Sequence, residues 1–190
     1  MTDTRPARLL ALREAIGRAN LDAIVITSLP NIRYISGFSG SNGILLVSAR
    51  DCVLLTDFRY ALQVADEVGA AASVRIESSN LWTALWTLLG SMHGVDRVGF
   101  ESQHLLHRDF QRLLEQGSRW QWRPTLDLVE TLRVRKDAGE VACIERAVSI
   151  AERALALTLP ELRVGLTETA VAGILEHKLR DAGSEGFPFA

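Results

Sequence analysis

Little in this sequence is extreme, and its shortages are informative. Cysteine occurs only twice, at Cys52 and Cys143, far apart and without the spacing of a metal site. Both lie in apolar-periodic segments and read as buried free thiols in a reducing cytosol. Charge of one sign is also scarce. A formal net charge of −2 leaves no field that would gather nucleic acid or an anionic membrane. The opening MTDTRPARLLALREAIGRAN has charges spread through it and no uninterrupted apolar core. That excludes a signal peptide and a membrane span. Internal repeats and low-complexity segments are absent. These absences predict a soluble cytoplasmic protein with neither nucleic acid nor membrane as partner.

What is present is a chain of 190 residues, 47% of them hydrophobic, enough to bury a sizeable core in one large domain or one domain with part of another. Residues 7–19 carry Leu9, Leu12 and Ile16 at helical spacing, and Asn20 suits the left-handed residue that closes a helix. DAIVITS is a β-branched run ending before Pro30 and reads as a buried strand. IRYISGF and GILLVS are predicted as strands on either side of the glycine-rich GFSGSNG. CVLLTD follows a tight turn that makes a hairpin, and residues 58–68 form a helix with Leu62, Val64, Ala65 and Val68 apolar. The pattern then alternates: strand SVRIES, helix LWTALWTLLG, strand RVGFES, helix over 104–116, strand RWQWRPT. Such alternation predicts βαβ crossovers, so the fold class is α/β with a mixed, largely parallel sheet flanked by helices.

After Thr131 the texture changes. Asp137 and Glu140 have the spacing of a capping box, and Val141, Ile144, Val148, Ala151 and Leu155 make one stripe down a long helix that Pro160 interrupts. A second helix starts at Thr167 as N-cap, with Val171, Ile174, Leu175 and Leu179 on its inner face. Two domains are predicted, 1–131 and 132–190. The chain then runs through a polar turn into Phe187-Pro188-Phe189-Ala190, which reads as the first residues of a strand.

Candidate chemistry is sparse. The GFSGSNG loop enters a strand rather than a helix and has no lysine nearby, so it is a poor phosphate loop. It reads as a strand-to-strand loop needing glycine's freedom, or as a rim presenting Ser39, Ser41 and Asn42. Glu101, His104 and His107 are spaced E-x-x-H-x-x-H, which is not the zincin pattern; a solvated helix start is the better reading. Asp57 caps the helix that follows it, while Arg59 and Tyr60 stand where loops over a sheet's carboxyl edge commonly hold ligands. Trp82 and Trp86 form an aromatic pair suited to core packing or a subunit interface. No catalytic residue and no metal ligand is identified in the chain.

Three stretches together resemble the creatinase/prolidase/aminopeptidase P family. They are NIRYISGFSGSNGILLVS with LLTDFRYALQVADEV, then LRVRKDAGEVACIERAVSIAERAL, then GLTETAVAGILEHKLRDAGSEGFPFA. The resemblance implies a creatinase-type N-terminal domain followed by the first two helices of a pita-bread catalytic domain. It implies a parent Xaa-Pro aminopeptidase or dipeptidase that cleaves the bond before proline in peptides. Two divalent metals (manganese, cobalt or zinc) are implied for that parent, held by residues beyond the point matching Phe187–Phe189. By the same resemblance the chain stops at the threshold of the active site and has no peptidase activity of its own. The N-terminal domain would restrict access and build a homo-oligomer, a dimer by default, with Ser39, Ser41, Asn42, Arg59 and Tyr60 as substrate-rim candidates. Rival readings are a non-catalytic protein-binding module of the same fold and a nucleotide-binding α/β protein.

Overall fold

Alternate residues of each central strand point to opposite sides, and both sides are apolar. In the computed structural model, which describes residues 3–186, Ile24 and Ile26 of β1 (Ala23–Ile26) join one core while Ala23 and Val25 join the other. Leu45 and Val47 of β2 (Gly43–Ser48) divide from Ile44 and Leu46 in the same way, as do Cys52 and Leu54 of β3 (Cys52–Asp57) from Val53 and Leu55. Strands buried on both faces need a helical layer on each. One layer is α1 (Arg5–Arg18), α2 (Leu29–Ser36) and α3 (Ala61–Glu67), contributing Leu12, Ile16, Ile32, Ile35 and Val64. The other is led by α4 (Leu81–Ser91), through Leu81, Ala84, Leu85, Leu88 and Leu89.

With β4 (Ser73–Glu77), β5 (Arg97–Glu101) and β6 (Gln121–Thr125), the sheet has six strands in the order β4-β3-β2-β1-β5-β6. β1–β5, β3–β4 and β5–β6 pair in parallel; β2 alone opposes its neighbours, through the β2–β3 hairpin and its pairing with β1. Five strands therefore share one direction, and the start of β2 lies at their carboxyl edge. α5 (His107–Gln116) links β5 to β6, and Pro124 sits in β6 at the sheet margin, where a missing N–H is tolerated.

Two local expectations are corrected. IRYISGF is helix α2, not a strand. Ser28 is extended at its N-cap, Pro30 occupies the first turn, and Gly37 closes it at φ +86° with its N–H on the Arg33 carbonyl. Ile32 and Ile35, three apart, bury one helix face, so tertiary packing overrides their β propensity. In the helix after β3, Val64 and Val68 are buried but Leu62 faces solvent at 85% exposure. Asn20 takes the left-handed conformation, φ +55°.

The chain separates into two compact units between Arg135 and Lys136. Residues 132–135 fall in the first unit, to which α6 (Glu130–Arg133) is tied. Arg133 donates to the Asn31 side-chain carbonyl at 2.9 Å, and the Tyr34 hydroxyl donates to the Leu132 carbonyl at 3.2 Å. In the second unit α7 (Ala138–Thr158) begins with the capping box of Asp137 and Glu140, and α8 (Glu168–Asp181) with Thr167. These helices pack together, with Lys178 bridging to Glu161 at 2.9 Å. The strand expected at Phe187–Ala190 lies outside the described residues.

Cys52 is buried, and that burial pushes its thiol up to about 11. Cys143, also expected inside, is exposed on α7. No helix among the described residues is long and apolar enough to cross a membrane.

Gly37 is required twice over. A Cβ there would lie 2.7 Å from Arg5 Nη1 and 2.8 Å from the Glu67 carbonyl, in a left-handed backbone. That Arg5 nitrogen clips the ends of α2 and α3 by donating to the carbonyls of Ser36, Glu67 and Val68. Gly37→Ala is expected to cost about 1–3 kcal/mol in urea unfolding; an unchanged midpoint would show that neither the turn nor the Arg5 clip is constraining.

Candidate functional site at the carboxyl edge

The loop leaving Gly37 is pinned from below. Phe38 is buried and meets the Tyr60 ring edge-on at 5.3 Å. Gly40 lies directly over Phe38, where a Cβ would come within 2.2 Å of the ring. The loop is thereby held against the segment that follows β3, and all five predicted rim residues come together.

Each rim residue has a defined partner. Ser39 donates its N–H and hydroxyl to the Glu67 carboxylate at 2.8 and 2.6 Å, and Gln63 donates to the Ser39 hydroxyl at 2.9 Å. The Ser41 hydroxyl and N–H bond the Tyr60 oxygen at 2.7 and 3.2 Å. Asn42 donates its amide to Asp57 at 2.6 Å, and its carbonyl accepts from Thr56 at 2.7 Å. Asp57 also accepts from the Arg59 N–H and, at 2.8 Å each, from two guanidinium nitrogens. Asp57 thus caps the turn Phe58–Tyr60 and orients Arg59 at once.

The electrostatics follow from this wiring. The Arg59 guanidinium, aided by Asn42 against the opposing effect of burial, holds the Asp57 carboxyl well below the usual carboxylate range. Hydrogen bonds from Ser41 lower the Tyr60 phenol. Arg59 keeps 58% of its side chain in solvent and lies 5.4 Å from the centre of the Tyr60 ring. The arrangement presents the remaining outward donors of an oriented Arg59–Asp57 ion pair beside a polarised hydroxyl, groups suited to carboxylate or carbonyl oxygens.

A second network on the same edge was not legible in the sequence. Glu101, at the end of β5 and 5% exposed, accepts the backbone N–H groups of Thr27 and Ser28 at 2.7 and 2.8 Å. It also accepts from the Asn31 amide at 2.6 Å. The same Asn31 nitrogen donates to Glu130 at 2.6 Å, and His104 meets Glu130 at 3.1 Å. Burial alone would raise the Glu130 carboxyl, but the Asn31 amide, backbone N–H and His104 outweigh it and hold it low. The only sequence signal was polar residues interrupting apolar runs.

The E-x-x-H-x-x-H spacing does not converge. Glu101 is spent on the Thr27 and Ser28 N–H groups and the Asn31 amide, and His104 precedes the helix, since Leu106 is extended and α5 starts at His107. No group of three His, Cys, Asp or Glu side chains able to hold a metal occurs among the described residues. The implied metal pair therefore does not fit the described residues of this chain. Trp82 and Trp86 do pair, at 6.1 Å, and Trp120 and Trp122 join them around Trp86. A larger hollow of about 990 Å³ lies at the opposite edge, lined by Arg13, Ser48 and Asp51 among others. Arg13 there donates to the Ser48 carbonyl, and Asp51 is held by the Ser48 hydroxyl. The convergent functional groups are at the carboxyl edge.

Asn31→Ala is expected to remove about 2–4 kcal/mol in urea unfolding, because Glu101, Glu130 and Arg133 all lose a bond. Asp57 and Glu130 have folded pKa values below their unfolded ones. Their stabilisation is complete above the ordinary carboxylate range and is lost as pH falls below roughly 4. Asp57→Asn should therefore lower stability at pH 7 while making its decline between about pH 5 and 3 shallower; unfolding curves across that range provide the check.

Comparison with known proteins identifies the family of the first unit. Residues 8–135 match the Creatinase/Prolidase N-terminal domain family. An uncharacterized peptidase, YqhT, of Bacillus subtilis is 31% identical over 96% of this chain and 51% of its own length. The solved Xaa-Pro dipeptidase from Bacillus anthracis superposes with a TM-score of 0.88 at 26% identity, over 96% of this chain and 50% of that one. The N-terminal domain of the cytoplasmic peptidase PepQ from Mycobacterium tuberculosis is 37% identical, with a TM-score of 0.60, over 66% of this chain and 98% of that one. The chain spans about half the length of the curated relatives it matches. The family match over residues 8–135, which ends where the first compact unit ends, leads to one conclusion: the chain belongs to the creatinase/prolidase N-terminal domain family.

Proposed function

We propose that this chain is the N-terminal part of a metal-dependent Xaa-Pro peptidase, of aminopeptidase P or prolidase type, acting in the cytoplasm on the bond before proline. The observation carrying this reading is the likeness along nearly the whole chain to a solved Xaa-Pro dipeptidase. The first unit shapes substrate access. Ser39, Ser41, Asn42, Arg59 and Tyr60 form the rim, where Arg59 offers its exposed guanidinium to peptide carbonyl or carboxylate groups while Asp57 fixes its direction.

The second unit, on this reading, is the opening of the catalytic domain. Val141, Ile144, Val148 and Leu155 of α7 are 42–50% exposed. Such a stripe is what a helix presents when further structure packs on it. Two divalent metals would be held by that further structure and would supply an activated water. The protein works as a two-fold dimer, the default closed symmetry.

Assayed alone on an Xaa-Pro dipeptide with manganese, cobalt or zinc, the 190-residue chain is expected to release no proline. Turnover that survives purification to homogeneity would overturn the assignment of the catalytic groups to another segment. Joined to a C-terminal half of the relatives' kind, the chain should hydrolyse the substrate. Arg59→Gln should then raise KM about tenfold with kcat little changed, as loss of a charge-assisted contact requires. For assembly, sedimentation of the chain and of residues 1–135 distinguishes two interfaces. A dimer in both locates it on the first unit, a dimer of the longer chain only locates it on α7 and α8, and monomers in both would remove the dimer.

A further inference from the structure

Beside the rim, the carboxyl edge carries a cleft of about 390 Å³ that the proposed function leaves unused. It lies at the reversal of strand order. The chain moves outward from β1 through β2, β3 and β4, then returns to the other side of β1 for β5 and β6. Thr27 after β1, Asn80 before α4, and the segment from His104 to Arg112 after β5 all line it. Open α/β sheets hold ligands in the crevice at such a reversal, outside the carboxyl ends of the strands. The volume is that of a small-molecule site.

The charge of the lining is lopsided. Arg108 and Arg112 face a single acid, the buried Asp109. Arg112 donates to one Asp109 oxygen at 2.8 Å, and Arg108 Nε lies 3.7 Å from the other. One carboxylate against two guanidiniums leaves an excess positive charge, and it holds Arg112 by its edge. Arg108 keeps 74% of its side chain in solvent, so most of its donors face outward. Asn80 gives its side-chain oxygen to the Trp82 N–H, which leaves its amide NH2 to donate. The His104 ring is held in place by Glu130.

We propose that this cleft binds a small molecule through an oxyanion, a phosphate or carboxylate group, paired with Arg108 and Arg112 and hydrogen-bonded by the Asn80 amide. The donors are side chains converging from two chain segments, the start of α4 and the first turns of α5, so no glycine-rich phosphate loop is involved. Forked guanidinium contacts to such groups are the strong, directional kind. The site is separate from the rim: Asn42 borders both, but its amide is committed to Asp57.

The test is an amide NMR titration of the full chain at pH 7 with sodium phosphate and, separately, sodium succinate. Each is compared with sodium chloride at matched ionic strength, because unspecific charge screening moves exposed amides too. The expected result is saturable shifts at Thr27, Asn80, His104 and Arg108 with one of the two oxyanions, which also assigns the group as phosphate or carboxylate. Arg108→Gln, at an exposed position that folding does not need, should weaken that midpoint about fivefold. Shifts that rise linearly, that match sodium chloride, or that keep their midpoint in the variant would overturn the proposal. The wild-type titration decides by itself whether the responding amides surround the cleft.

Discussion

A buried carboxylate with no positive side chain beside it is costly, and the carboxyl edge of this sheet is organised around one. Glu101 is satisfied by the N–H groups of Thr27 and Ser28 and by the Asn31 amide. Leaving such a charge without partners would cost roughly 3–5 kcal/mol. Those bonds fix how the chain turns from β1 into α2. The placement of α2 then sets Gly37, and Gly37 aims the loop that carries Ser39, Ser41 and Asn42. In the other direction Asn31 reaches Glu130 and Arg133, so the same carboxylate determines where α6 lies and where the first unit ends.

The proposed rim is built by the opposite strategy. Its polar groups lie near solvent and satisfy one another in pairs: serine with glutamate, serine with tyrosine, asparagine with aspartate, and aspartate with arginine. Arg59 and Tyr60 are already held in one orientation, so a ligand at the proposed rim would find little left to reorganise. Preorganisation of this kind lowers the entropic cost of binding. The cleft at the strand reversal shares the edge but not the wiring. Its positive excess comes from α5, and its one acid is already taken.

The two units differ in how they are stabilised. The first buries both faces of its sheet under helices, with fully inaccessible residues at Leu12, Ile24, Leu45, Leu54, Leu85 and Leu89. In the second, helix caps and the contact between α7 and α8 are local devices, and Ala154 and Thr158 are its buried positions on α7. Capping boxes fix where a helix starts but leave its apolar face to be covered by other structure.

Strand periodicity, the β2–β3 hairpin, the capping box at Asp137 and the chain closure at Asn20 were determined by the sequence, because each depends on residues within a few positions. The family signature was legible for the same reason: its motifs are contiguous. Helix α2 was not. Ile32, Tyr34 and Ile35 are the β-branched and aromatic residues a strand favours, and only the burial of Ile32 and Ile35 in the core shared with α1, α3 and the sheet decides for the helix. Nor could the sequence show that Asn31 joins Glu101 and Glu130, 70 and 99 residues away. It could not show that Cys143 faces outward while Cys52 is buried, or that the three other tryptophans gather around Trp86. Local chemistry sets where most elements start and stop; the helical state of α2 and the partner of each polar group depend on packing and strand order, which exist only once the chain has folded.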